Sequence, residues 1–142
     1  MLKHVLGFIA ADHRGYKLKE YLKEKFPLID LGTFDGEKSV DYPDYIKKLT
    51  KYVLKEKSQG IVICGTGMGV SMAANRVKGI RAGLCRTTDD AYMSRYHNNA
   101  NVLALGEDVT KPKDAERIAK KFFDTEFSGE LRHKRRIKKM DK

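Results

Sequence analysis

Gly60-Ile-Val-Ile-Cys64-Gly-Thr-Gly-Met-Gly69 decides how the rest of this chain is read. Ile61 to Ile63 are apolar and β-branched, the composition of a short buried strand. The strand ends on Cys64, the alternating glycines Gly65, Gly67 and Gly69 turn the chain, and Val70-Ser-Met-Ala-Ala-Asn75 then reads as a helix. A strand, a glycine turn and a helix N-terminus together aim bare backbone N–H groups at one point. Such a point binds an anion, or an oxyanion that forms during a reaction. A thiol at its rim gains thiolate character, because the helix dipole and the amides favour the charged form. The bland alternative is a tight turn carrying a buried, inert cysteine. A dinucleotide fingerprint fails, since the sixth position counted from Gly65 is Val70 rather than glycine. A phosphate-binding P-loop fails as well, because no Gly-Lys-Ser/Thr follows.

The 142 residues suit one domain spanning 1–142, with 41% hydrophobic residues. No apolar run approaches the roughly 18–20 residues of a membrane span. Met1-Leu-Lys-His-Val-Leu-Gly7 passes straight into a strand-like run, without the apolar core and cleavage site of a signal peptide. Cys64 and Cys85 each close an apolar run, so a disulfide is not expected and the cytoplasm is the expected compartment. The net charge is +10, and much of the lysine lies in helical stretches interleaved with glutamate, as in Lys17-Leu-Lys-Glu20, the pattern of a solvated helix face. Only Arg132-His-Lys-Arg-Arg-Ile-Lys-Lys139 is unbalanced. Such a run can attract nucleic acid, or supply the one or two guanidinium groups that a small phosphate needs. It lacks interleaved aromatics and any RNP or helix-turn-helix signature, so nucleic acid is not the expected partner.

Outward from the glycine loop, strand and helix alternate. Strand-like runs cover Val5–Ala11, Leu28–Leu31, Ile61–Ile63, Ile80–Leu84 and Val102–Leu105. Helical patterns cover about Tyr16–Lys25, Asp44–Lys57, Met68–Val77, Asp89–Tyr96, Lys113–Phe123 and Gly129–Met140. This spacing predicts βαβ units and a parallel sheet covered by helices on both faces. Ligands in such folds bind at the carboxyl ends of the strands. Asp12, His13 and Cys64 therefore share one crevice in this reading.

Each polar element has an ordinary explanation on its own. Asp12 can cap the following helix, and His13 can be a loop residue. Asp41-Tyr42-Pro43-Asp44-Tyr45 can be a helix start. His97-Asn98-Asn99-Ala100-Asn101 can be a helix end, where Asn tolerates left-handed geometry. Arg132 and Arg136 share a helix face, which can be solvated. The four histidines and two cysteines show no metal-ligand spacing, so no metal is expected.

Together, these elements in this order and spacing resemble the ribose-5-phosphate isomerase type B family, which includes galactose-6-phosphate and allose-6-phosphate isomerases. The resemblance covers essentially the whole chain, and Cys64-Gly-Thr-Gly67 and His97-Asn98 are its specific motifs. It implies a Rossmann-like three-layer α/β/α sandwich with a five-stranded parallel sheet in the order 2-1-3-5-4. The implied activity is interconversion of ribose 5-phosphate and ribulose 5-phosphate, a pentose phosphate pathway step, through an enediolate and without metal or cofactor. Cys64 is the implied proton acceptor and His97 the implied donor that assists ring opening, with Asp12 at the ring oxygen. Thr66 and the amides of Gly65, Gly67, Met68 and Gly69 hold the enediolate oxygen. Tyr42 and Asn98 contact the sugar, while His13, Arg132 and Arg136 meet the phosphate. The implied assembly is a homodimer, or a dimer of dimers, with Arg132 and Arg136 reaching the partner's site. A branch of the family carries glutamate where this chain has Val70, which assigns the chain to the cysteine branch. One departure stands out. Asp108 occupies a position where the family usually has a phosphate-binding arginine.

Overall fold

The computed structural model describes residues 4–142; Met1, Leu2 and Lys3 of the expected N-terminal run lie outside the described residues. The chain alternates β1 (Gly7–Ala11), α1 (Tyr16–Lys25), β2 (Leu28–Asp30), α2 (Tyr42–Glu56), β3 (Gly60–Cys64) and α3 (Met68–Asn75). It continues through β4 (Ala82–Leu84), α4 (Thr88–Tyr96), β5 (Val102–Gly106), α5 (Pro112–Asp124) and α6 (Leu131–Met140). The strands form one parallel sheet in the order β2-β1-β3-β5-β4. This is the order the resemblance implies.

The three central strands are buried along their whole length, as strands covered on both faces must be. Alternation divides their side chains between two cores. Ile9, Ile61, Ile63, Leu103 and Leu105 pack with Leu18 and Leu22 of α1 and Ile118 and Phe122 of α5. Phe8, Ala10, Val62, Cys64 and Ala104 pack on the other face with Ile46, Leu49 and Val53 of α2 and Val70 and Ala74 of α3. The result is the α/β/α sandwich, with Cys64 on the α2–α3 side. Removing a side chain such as Phe122 from this packing costs about 3–5 kcal/mol.

Element ends depart from the sequence reading where local chemistry intervenes. The first strand starts at Gly7 rather than Val5. Ile80 and Arg81 precede β4 instead of joining it, because Gly79 turns at φ +92° and the Ile80 amide donates to Val77. α2 begins at Tyr42 rather than Asp44, with Pro43 in its first turn, where a missing N–H costs nothing. The last helix starts at Leu131, after Gly129 with φ +72°.

Strand order reverses between β1 and β3: the chain moves outward from β1 to β2, then to the opposite side from β3 onward. The crevice at the carboxyl ends of these two strands is the switch point where α/β sheets take ligands. The Asp12 amide donates to Ile63 there at 3.2 Å, joining the ends of the two strands.

Candidate active site

At that switch point Cys64 ends β3 with its side chain buried. Its Sγ accepts a hydrogen bond from the Gly67 amide at 3.2 Å. Gly67 caps α3 in the left-handed region (φ +83°). A Cβ there would meet Leu84 Cδ1 at 2.7 Å and the Leu105 carbonyl carbon at 2.9 Å, so glycine is required twice over. Thr66 Oγ1 accepts the Met68 amide at 3.2 Å, which leaves its hydroxyl proton free to donate outward. Gly69 and Val70 follow in the first turn of α3, where amides have no acceptor within the helix. The loop after β5 clamps this cradle from below. Glu107 and Asp108 amides donate to Cys64 O at 3.0 Å and Gly65 O at 2.9 Å.

The expected neighbours are present. Asp12 is buried, and its Oδ1 accepts the amides of Arg14 at 3.0 Å and Gly15 at 3.1 Å. Asp12 thus closes the turn before α1 but is not the N-cap, a position held by Gly15. His13 Nδ1 accepts the Val40 amide at 3.2 Å, so a neutral ring carries its proton on Nε2. A cleft of about 470 Å³ opens beside it, lined by His13, Arg14, Tyr16, Lys17, Gly36, Glu37, Glu107 and Asp108. The Tyr42 ring lies against Gly69, whose Cβ would fall 2.7 Å from Tyr42 Cζ.

His97, Asn98, Arg132 and Arg136 are not in this crevice. With His133 they line a second cleft of about 490 Å³. α4 starts at the carboxyl end of β4 and runs back, so its C-cap His97 precedes the turn that starts β5. That turn sits at the amino ends of the strands, where the Gly60 amide donates to Asn101 O at 3.0 Å. Cys64 pairs with Gly106 at the far end of the same ladder. Four residue steps separate the two edges, or about 13 Å along the strands. Within one copy, Cys64 and His97 therefore occupy opposite edges of the sheet.

The second cleft is held by residues that the sequence reading passed over. Arg95 is buried and binds Thr125 O at 3.0 Å, Asn99 Oδ1 at 2.9 Å and Ala100 O at 2.6 Å. Arg81 Nε donates to the carbonyls of Asn98 at 3.1 Å and Asn99 at 3.2 Å. Asn99 itself is left-handed (φ 46°), the geometry that asparagine tolerates. The His97 ring packs on His133 at 4.9 Å between centroids. His133 is buried, with Nδ1 2.6 Å from Ser128 Oγ. Burial lowers its pKa, Glu130 opposes this, and Arg132, His97 and Arg136 push the same way as burial. The signal for Arg95 was its i, i+4 spacing to Asn99, and for His133 its place between the two arginines.

The other thiol contrasts with Cys64. Cys85 is buried at the end of β4, its pKa is pushed up to about 11 by desolvation, and both cysteines are free. Among the described residues, no helix is long and apolar enough to cross a membrane.

Fold and site define an α/β protein with a buried thiol beside a glycine turn and a helix N-terminus at a topological switch point. A model of the ribose/galactose isomerase family matches residues 8–140. The chain is similar to ribose-5-phosphate isomerase B of Escherichia coli, at 39% identity over 132 residues, covering 89% of this chain and 87% of that one. Its fold is similar to the ribose 5-phosphate isomerase structure from Thermotoga maritima, with a TM-score of 0.91, 44% identity and coverage of 97% and 98% of the two chains. The ribose-5-phosphate isomerase B structure from Clostridium thermocellum gives a TM-score of 0.87 at 46% identity, covering 94% and 93%. The chain belongs to the ribose/galactose isomerase family, and it is an isomerase.

Proposed function

We propose that this protein interconverts ribose 5-phosphate and ribulose 5-phosphate, a reaction of pentose phosphate metabolism, in sites shared between two copies of the chain. The observation that carries the reading is the Cys64 thiol, held 3.2 Å from the Gly67 amide beside a helix N-terminus. In the open-chain aldose, the Cys64 thiolate takes the proton from C2. The C2–H electron pair forms the C1=C2 bond of an enediolate, and negative charge passes to O1. Thr66 and the cradle amides stabilise that charge; one such donor is worth about 10²–10³ in rate at comparable sites. The thiol then returns the proton to C1 while the O2 proton moves to O1, giving the ketose. Asp12 Oδ2 accepts the hydroxyl that ring opening leaves on the former ring oxygen, since Oδ1 is occupied by the turn.

His97 of a second copy supplies the proton that opens the sugar ring, Asn98 contacts the hydroxyls, and Arg132 and Arg136 hold the phosphate from that side. The opposite-edge positions of Cys64 and His97 support this division. So do the exposed apolar side chains bordering each half: Met68 and Met72 on α3, and Leu131 on α6. In a two-fold dimer, such contacts come in reciprocal pairs and form two sites.

Turnover of a panel of pentose and hexose phosphates by wild type and by Cys64→Ala tests the reading. Ribose 5-phosphate is expected as the best substrate, with Cys64→Ala folded and inactive. Preference for galactose 6-phosphate or allose 6-phosphate would reassign the sugar. Undiminished turnover by Cys64→Ala would remove Cys64 as the base.

A further inference from the structure

The Cys64 half of the site has a guanidinium of its own. Arg14, directly after His13, packs over the first glycine of the cradle: a Cβ on Gly65 would fall 2.6 Å from Arg14 Cζ and 2.7 Å from Nε. Its Nη2 pairs with Asp108 Oδ2 on the loop after β5. Both residues are fixed at the backbone to the machinery of Cys64. The Arg14 amide donates to Asp12 Oδ1, and the Asp108 amide donates to Gly65 O. Their side chains, by contrast, are 56% and 45% exposed, so the pair is weak in water and easily exchanged.

Among the described residues, Arg14 is also the one guanidinium lining the cleft beside the cradle. The neighbouring Glu107 carboxylate is tied to α1, where its Oε1 accepts the Leu18 amide at 2.8 Å. Asp108 engages one nitrogen of the guanidinium, which leaves the remaining N–H groups for another planar or tetrahedral anion.

We propose that Arg14 binds the phosphate group of the substrate from the same copy that supplies Cys64, with Asp108 as the counter-ion that positions it and gives way when phosphate arrives. This rests on the sugar-phosphate isomerase reading above. The phosphate is then gripped from two sides, by Arg14 of one copy and by Arg132 and Arg136 of the other. A carboxylate at position 108 is consistent with phosphate binding in this arrangement, because the cation it holds supplies the charge.

Inorganic phosphate is the probe, titrated calorimetrically into wild type, Arg14→Ala, Arg14→Lys and Asp108→Asn, with KM and kcat for ribose 5-phosphate measured in parallel. Arg14→Ala is expected to weaken phosphate about ten- to hundredfold, as for loss of charge-assisted bonds, with KM rising far more than kcat falls. Arg14→Lys should restore part of that loss, since it keeps the charge and loses the fork. Asp108→Asn should tighten phosphate by removing a competing carboxylate. Phosphate affinity unchanged in Arg14→Ala would overturn the proposal, and so would a kcat loss without any change in phosphate affinity. If Arg14→Ala does not fold, Asp108→Asn decides: unchanged or weaker phosphate binding refutes the competition. Failure of the wild type to turn over any sugar phosphate would sink the isomerase reading alone, because the phosphate titration still reports on Arg14.

Discussion

Alkylation by iodoacetamide should separate the two thiols. Burial pushes Cys85 up to about 11, and the Asp90 carboxylate acts in the same direction. At pH 8 only about one Cys85 in a thousand is then ionised, against roughly one in four for an ordinary thiol near 8.5. Ionisation alone slows Cys85 about two-hundredfold relative to an ordinary thiol, since the thiolate is the nucleophile. Its 1% exposure slows it further. Cys64 is also nearly covered, but it lies at the mouth of the amide cradle with its sulfur receiving an N–H bond. The assay is timed iodoacetamide treatment at pH 8, peptide mass spectrometry for each cysteine, and residual activity on the same samples. Cys64 modification should track the loss of activity and be slowed by ribose 5-phosphate. Cys85 should stay unmodified until the protein unfolds, and Cys85→Ala should keep most activity. Equal labelling of both thiols in the folded protein would refute the argument. Complete Cys64 modification with full activity would refute it equally.

Gly67→Ala combines left-handed strain with contacts to backbone that cannot yield, and should cost about 2–4 kcal/mol in denaturant unfolding; a loss below about 1 kcal/mol would contradict the geometry. His133→Asn should change the acid limb of stability. A lowered folded pKa means the unfolded state binds the proton first, so stability is full above the ordinary histidine pKa and is lost as pH falls from there through the lower folded pKa. That loss should be missing in the variant, and an identical acid limb in both proteins would exclude a buried neutral His133. His97→Asn should slow turnover of cyclic ribose 5-phosphate much more than exchange of the activated proton in an open-chain substrate. Equal losses with both substrates would take ring opening away from His97.

The sheet was readable because parallel strands buried on both faces are short apolar runs, and Ile61–Ile63 and Val102–Leu105 stand clear of the helices beside them. The turn after β3 was readable because glycine spacing is local chemistry, as Gly67 with its positive φ bears out. Element ends were less legible where a tertiary contact decides them. Arg81 resembles a strand residue in sequence, yet its amide is taken by Asn101 Oδ1 from twenty positions away. Arg14 gave no signal at all, since its partner Asp108 lies 94 residues further on. Motifs also carry no record of which edge of the sheet they occupy. His97-Asn98 reads as a site element from its composition, but only the direction of α4 puts it opposite Cys64.

In the proposed dimer, Cys64 of one copy works with the His97–Arg136 cleft of another. Cys64→Ala and Arg136→Ala should each be nearly inactive alone. Unfolded together in equal amounts and refolded, about half of the dimers should be hybrids, each with one intact site and one doubly damaged site. The mixture should then recover about a quarter of wild-type activity. Hybrid dimers that form, as verified by mass, and return no activity would contradict the shared site.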